Sequence, residues 1–252
     1  MAKPAERRLI TLPLSHFCEK ARWALDLAGI DYREERHLPL IHRWHTRRLG
    51  ASTVPILVTD EGALTDSADI VRYADRHSRA AKLLPSRTAD HQEALELERY
   101  LDRELGPHVR RWAYFHILGS RRLLNRVAST GVQMPERLFT SPIMSVTRPL
   151  IRRGYRVGPD TAERSLQRVH EVFQAVGERL MDRRRYLVAD ELSVADITFA
   201  ALAAPMLLPE RHGGAQPSLD ELPEAMRSEC LRMRATPAGA YALGLYERHR
   251  GT

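Results

Sequence analysis

Residues Leu9-Ile10-Thr11-Leu12-Pro13-Leu14-Ser15-His16-Phe17-Cys18-Glu19-Lys20-Ala21-Arg22 decide the fold of this chain. The run from Leu9 to Leu12 is short and apolar and is closed by Pro13, which predicts a buried strand ended by the proline. Beyond it Phe17, Ala21, Ala24, Leu25 and Ala28 recur at helical spacing and Gly29 follows, so a helix with a glycine C-cap is expected. A strand that feeds straight into a helix leaves Ser15 at the helix mouth, where backbone N–H groups lack partners and the helix dipole is positive. That place favours an anion. The Ser15 hydroxyl can serve simply as the N-cap, or it can donate to a bound thiolate and hold it ionised. Cys18, in the first turn, is equally open to two readings: a small packed residue, or a thiol of lowered pKa if it is exposed.

Working outward, Asp31 to His37 reads as a weak polar strand and Leu38 to Gly50 as an irregular or helical segment rich in His and Arg. Pro55-Ile56-Leu57-Val58, Asp60-Glu61-Gly62 and Ala63-Leu64 read as strand, turn and strand. A proline is tolerated at the first residue of a strand because its N–H can be spared there, and a cis Val54-Pro55 bond would turn the Val54 backbone outward toward an extended, peptide-like ligand. Asp66-Ser67 precedes the apolar positions Ile70, Val71, Tyr73 and Ala74, the pattern of a helix with a polar start. The Ser67 hydroxyl and the free N–H groups suit a carboxylate and Asp66 suits an ammonium, so the pair fits an α-amino-acid head group; read singly, they are caps. From about Asp90 onward the pattern is helical, with apolar sets Leu95 to Leu105 and Leu166 to Leu180 and an almost wholly apolar helix over 193–205. Ser193 and Asp196 form a capping box flanked by Leu192 and Ile197 as a hydrophobic staple. The change of character near Pro85 divides the chain into a 1–86 α/β domain and an 87–252 all-helical domain.

Composition excludes several classes. With 43% hydrophobic and 28% charged residues in 252, the chain is expected to bury a core rather than remain disordered. Two cysteines cannot supply a disulfide framework or a four-ligand zinc site, and the eleven histidines are scattered, so no metal is expected. No glycine-rich phosphate loop is present. The longest apolar stretch, Ile197 to Leu208, is interrupted by Pro205 and is shorter than the roughly 20 residues of a membrane span. The N-terminus has basic residues but no apolar leader run, so a cytoplasmic location is expected. Thirty-nine basic against 32 acidic side chains give +7, distributed as +3 over residues 1–86 and +4 over 87–252. On that division the charge reads as a mildly basic, solvated surface, and the arginine clusters lack interleaved aromatics, so no nucleic-acid partner is expected, and with no stretch of spanning length no membrane partner either.

Taken together, Ser15-x-x-Cys18, Thr53-Val54-Pro55-Ile56-Leu57, Leu64-Thr65-Asp66-Ser67, Leu83-Leu84-Pro85 and the 187–197 capping segment make the chain resemble the cytosolic glutathione transferase superfamily over essentially its whole length. The resemblance implies a thioredoxin-like N-terminal domain, an all-α C-terminal domain, glutathione as co-substrate, a small-molecule electrophile and a homodimer. It places the glutathione sulfur near Ser15, the cysteinyl backbone on Val54 beside a cis Pro55, the γ-glutamyl group on Asp66 and Ser67, and Phe17 in the same binding set. Arg43, His42 and His45 stand where the family puts groups for the glycine carboxylate. The electrophile pocket is expected between the domains on the long first helix of the second, where Trp112, Tyr114 and Phe115 cluster. The implied activity is conjugation of a thiolate to an electrophile, or peroxide reduction; a binding protein without turnover and a Cys18-dependent thiol–disulfide oxidoreductase are the alternatives. Two departures from the family pattern are the Asp at position 66 in place of Glu and an added arginine-rich segment over about 119–160, a candidate lid or dimer face.

Overall fold

The computed structural model describes residues 7–80 and 82–251; residues 1–6, part of the N-terminus read for a leader, lie outside the described residues. The first unit runs β1 (Arg8–Thr11), α1 (His16–Leu27), β2 (Arg33–Arg36), α2 (Ile41–Arg47), β3 (Ile56–Thr59), β4 (Gly62–Leu64) and α3 (Ser67–His77). The strands form one sheet in the order β2-β1-β3-β4. β1 pairs parallel with β2, with Leu9 opposite Glu34, and antiparallel with β3, with Leu9 opposite Leu57. β1 is central, and the apolar Leu9 and Ile10 are buried while the edge strand β2 stays polar. The turn between β3 and β4 passes through Gly62 at φ +124°, a conformation open to glycine.

Eight further helices follow: α4 (Thr88–Glu104), α5 (Gly106–Ile117), α6 (Arg121–Ser129), α7 (Thr140–Gly154), α8 (Pro159–Arg179), α9 (Val194–Leu207), α10 (Glu224–Arg234) and α11 (Pro237–His249), joined in places by single 3₁₀ turns. The architecture is thus a thioredoxin-like domain with a small mixed sheet followed by an all-helical domain. One sequence expectation is corrected: the long first helix is two, because Gly106-Pro107 opens a new helix after Leu105, where a proline at the first turn costs no hydrogen bond.

α9 is apolar on every side and is accordingly buried on every side, packing against α1, α4, α5, α10 and α11. Its start is fixed as the capping box predicts. Asp196 Oδ2 accepts from the Ser193 N–H and hydroxyl at 2.7 Å each, and Oδ1 accepts from the Leu187 N–H at 2.7 Å and the Tyr241 hydroxyl at 2.5 Å.

Charged groups join the two units. Fully buried Lys20 of α1 lies 2.8 Å from both Glu98 and Asp102 of α4. On the same helix, Glu19 accepts from Arg250 at 2.8 Å, Arg22 at 2.7 Å and the Gly213 N–H at 3.1 Å. Although burial opposes its charge, His212, Arg250 and Arg22 hold the Glu19 carboxyl down at about 2. Successive residues of one helix therefore clamp α4 and the C-terminal segment.

The cleft between the domains

A cleft of about 560 Å³ opens between the first unit and α5, α6 and α7. One wall is the β1–α1 turn with Ser15, His16 and Phe17. The floor includes Ser52, Thr53 and Val54 ahead of β3, and the opposite wall carries Arg110 and Tyr114 of α5 with Leu150, Ile151 and Tyr155 of α7. Ser15 caps α1: its backbone is extended and its Oγ accepts from the Cys18 N–H at 3.3 Å. The hydroxyl is half-buried at the cleft wall, at the positive end of the helix.

The structure separates the residues that the sequence grouped. Ser15, Phe17 and Val54 line the cleft, and the Val54-Pro55 peptide is cis, with Pro55 buried behind it. Asp66 and Ser67 do not line it; Asp66 Oδ1 caps α3 by accepting from the Ala68 N–H at 2.8 Å, and Ser67 is 5% exposed. Cys18 is fully buried, and burial pushes its thiol above the ordinary value, with Arg22 and the Ser15 hydroxyl opposing only in part. The condition for a lowered thiol pKa, exposure, is not met. Of the three aromatics of α5, only Tyr114 reaches the cleft. Trp112 is 2% exposed within the hydrophobic core and Phe115 is 37% exposed outside the cleft lining, because positions two before and one after Tyr114 on a helix do not share its face. His42 and Arg43 line the cleft, whereas His45 stacks on His37 with ring centroids 4.0 Å apart. Burial holds the His42 imidazole down at about 4.

Two cleft residues were not singled out by sequence. Arg110 lies one helical turn before Tyr114, and its guanidinium packs over the Tyr155 ring at 4.4 Å and the Phe17 ring at 6.0 Å from their centroids. The i, i+4 spacing of Arg110 and Tyr114 is the signal that finds it. His16 is 3% exposed, and its Nε2 lies 3.0 Å from the Gly106 carbonyl, which can only accept, so Nε2 carries the hydrogen. Burial and the nearby Arg110 hold the His16 imidazole down at about 3, neutral at ordinary pH. Burial also pushes the Tyr114 phenol up, so Tyr114 stays a hydrogen-bond donor. The cleft thus offers a capped helix N-terminus with a hydroxyl, the guanidinium groups of Arg43, Arg110 and Arg153, a neutral phenol and a backbone edge at Val54. No group of His, Cys, Asp and Glu among the described residues is arranged to hold a metal ion.

Comparison with known proteins agrees with the fold. Residues 9–82 match the profile of the glutathione S-transferase N-terminal domain and residues 139–227 that of the C-terminal domain. No curated protein sequence matches the chain significantly. Among solved structures, a glutathione S-transferase of Rhodospirillum rubrum F11 superposes with a TM-score of 0.57 at 22% identity, covering 94% of this chain and 91% of that one. A glutathione S-transferase of Methylobacillus flagellatus KT, solved with glutathione bound, gives 0.58 at 15% identity over 96% and 95%. The beta-etherase LigF of Sphingobium sp. strain SYK-6 gives 0.61 at 18% over 94% and 98%. At these identities the likeness carries the fold, while the two domain profiles, in the family's order along one chain, carry the membership: the chain belongs to the cytosolic glutathione transferase superfamily.

Proposed function

We propose that the chain is a glutathione transferase that binds glutathione in the interdomain cleft and sets its thiolate against Ser15. The observation that carries this reading is that Ser15, at the N-terminus of α1, and Val54, ahead of the cis Pro55, line one and the same cleft. Val54 then supplies backbone hydrogen-bonding groups to the cysteinyl unit, and Ser15 donates its hydroxyl hydrogen to the sulfur as the thiol loses its proton to solvent. In conjugation the sulfur lone pair forms a bond to an electrophilic carbon, and the displaced electron pair leaves with the leaving group or moves to an acceptor atom of the substrate. Arg110 and Tyr114, on the opposite wall, are placed to meet that developing negative charge. The electrophile is a small molecule, since the cleft is bounded on both sides, and the family's homodimer belongs to the same reading. Calorimetric titration with glutathione is the test: saturable heat and a raised unfolding temperature are expected, and neither at millimolar glutathione would overturn it.

A second reading, binding without turnover, is favoured by one observation: Asp66 and Ser67 stand outside the cleft lining, and Asp66 is engaged in capping α3. Glutathione binding without conjugation or peroxidase activity toward a broad electrophile panel would select it. The Cys18-dependent oxidoreductase has no such support, because the thiol is fully buried.

A further inference from the structure

The net charge of the chain is concentrated in one place. Residues 119–158 contain eight arginines and a single acidic residue, Glu136, a balance of +7 that equals the excess of the whole chain; the remaining residues carry 31 basic and 31 acidic side chains. A division at residue 86 hides this, because the rest of the second domain is net acidic. The structure folds the segment as α6, a 3₁₀ turn and α7, with one face on the cleft and the other outward. Its one carboxylate is turned inward: Glu136 pairs with His37 Nδ1 at 2.9 Å and accepts the Leu38 N–H. Among the described residues only Arg126 has a carboxylate partner, Glu221 at 2.5 Å. The other seven arginines make no ion pair among the described residues. Three of them, Arg121, Arg148 and Arg152, line a groove of about 300 Å³ between α6 and α7 together with Ser141 and Ser145.

Apolar side chains are exposed on the same segment. Leu138, Phe139, Val146 and Leu150 are 67%, 54%, 58% and 51% exposed. Val146 and Leu150 are one turn apart on α7, and Leu150 also lines the cleft. On α7, Arg148 and Arg152 line the groove toward α6 while Val146 and Leu150 are bared on another side, the composition of a segment that lies in a membrane interface. No helix of the described residues is long and apolar enough to cross a membrane, so contact would be peripheral.

We propose that the outer surface of residues 119–158 docks on an anionic phospholipid surface, the arginines meeting lipid phosphates and the exposed aliphatic groups entering the headgroup region. The sequence expectation of no membrane partner rested on the want of an apolar stretch of spanning length, which does not bear on a surface contact of this kind. A second copy is a poorer occupant, since an isologous contact would set two such cationic surfaces against each other. Nucleic acid is also poorer, because the exposed apolar groups are mostly aliphatic and give bases little to stack on.

The test uses the full-length protein and sedimentation with vesicles of phosphatidylcholine alone or mixed with phosphatidylglycerol. Binding to the mixed vesicles alone, weakening as salt rises, is expected. The triple variant Arg121→Gln/Arg148→Gln/Arg152→Gln, checked for unchanged unfolding temperature, is expected to lose about 100-fold in affinity, and Val146→Asp to bind more weakly at every salt concentration. Equal binding to both vesicle types, no binding to either, undiminished binding of the folded triple variant, or tighter binding to a short DNA duplex than to the mixed vesicles would each overturn the proposal. The wild-type comparison decides the matter even if the triple variant fails to fold.

Discussion

The imidazole of His16 donates through Nε2 to the carbonyl of Gly106 at 3.0 Å, so the turn that carries Ser15 is tied directly to the first residue of α5. This bond spans the two domains within one residue of the cleft's central hydroxyl. The imidazole that makes it is buried, and burial with the nearby Arg110 keeps it neutral although the bond itself favours the proton. In the folded protein His16 resists protonation until about pH 3, whereas in the unfolded chain it titrates at its ordinary 6.5. Above 6.5 both states are neutral and the group contributes no pH dependence. As pH falls from 6.5 toward 3 the unfolded chain binds the extra proton, and stability declines by up to ~1.4 kcal/mol per pH unit from this one group. Buried His42 and His212 act in the same direction. Denaturant midpoints measured between neutral and mildly acid pH are expected to fall, and His16→Gln, which keeps a donor without a titrating ring, is expected to flatten the slope.

Gly106 admits no side chain without disturbing the cleft. A Cβ at Gly106 would stand 2.6 Å from Phe17 Cζ and 3.4 Å from Leu202 Cδ1. The Phe17 ring tip is the part able to yield. Gly106→Ala is therefore expected to cost about 1–3 kcal/mol of stability. It is also expected to weaken glutathione binding, because Phe17 lines the cleft. Unchanged calorimetric affinity in the folded variant would separate Phe17 from the ligand site.

Lys20 is the buried cation between Glu98 and Asp102. Removing it strands two carboxylates at the domain junction, although Arg72 still reaches Glu98 at 3.3 Å. Lys20→Met is expected to cost about 3–5 kcal/mol, and Lys20→Met/Glu98→Gln less than that, since an uncompensated buried charge is the source of the loss. A double-mutant cycle in urea checks the ordering; equal losses would contradict it.

Glu136 is the pin that holds the α6–α7 segment to the first domain, through His37 and the Leu38 N–H. Glu136→Ala leaves that buried backbone donor unpaired, for an expected loss of about 1–3 kcal/mol. Hydrogen exchange is expected to rise across α6 and α7 and to remain unchanged in α9. A uniform rise throughout the chain would mean that Glu136 acts on global stability only.

Much of the fold was legible because its signals are local. The strand read at Leu9–Leu12 is β1, the periodic Phe17–Ala28 run is α1, the glycine-centred turn is the β3–β4 hairpin, and Ser193 with Asp196 forms the capping box it spells. The less legible features depend on which face of a helix looks where. Trp112, Tyr114 and Phe115 are neighbours in sequence but point to core, cleft and solvent, while Arg110, one turn from Tyr114, shares its face. The type and position of Asp66 and Ser67 at a helix start suit a head-group pair, but whether a cap also faces a cleft is set by the packing of α3, which the sequence does not spell out. The segment over 119–160 is legible as arginine-rich, but a division of the chain at residue 86 dilutes its excess charge with the net acidic remainder of the second domain.

The central claim, that Ser15 holds the thiolate of bound glutathione, is tested most directly by following the ultraviolet absorbance of the thiolate as a function of pH with glutathione bound to the wild type, to Ser15→Ala and to Cys18→Ala. The wild type and Cys18→Ala are expected to ionise the bound thiol well below the pH needed in free solution. Ser15→Ala is expected to shift that ionisation back upward and to lose about 10²- to 10³-fold in turnover. An identical titration in the wild type and Ser15→Ala, or loss of the low-pH thiolate in Cys18→Ala alone, would contradict the account.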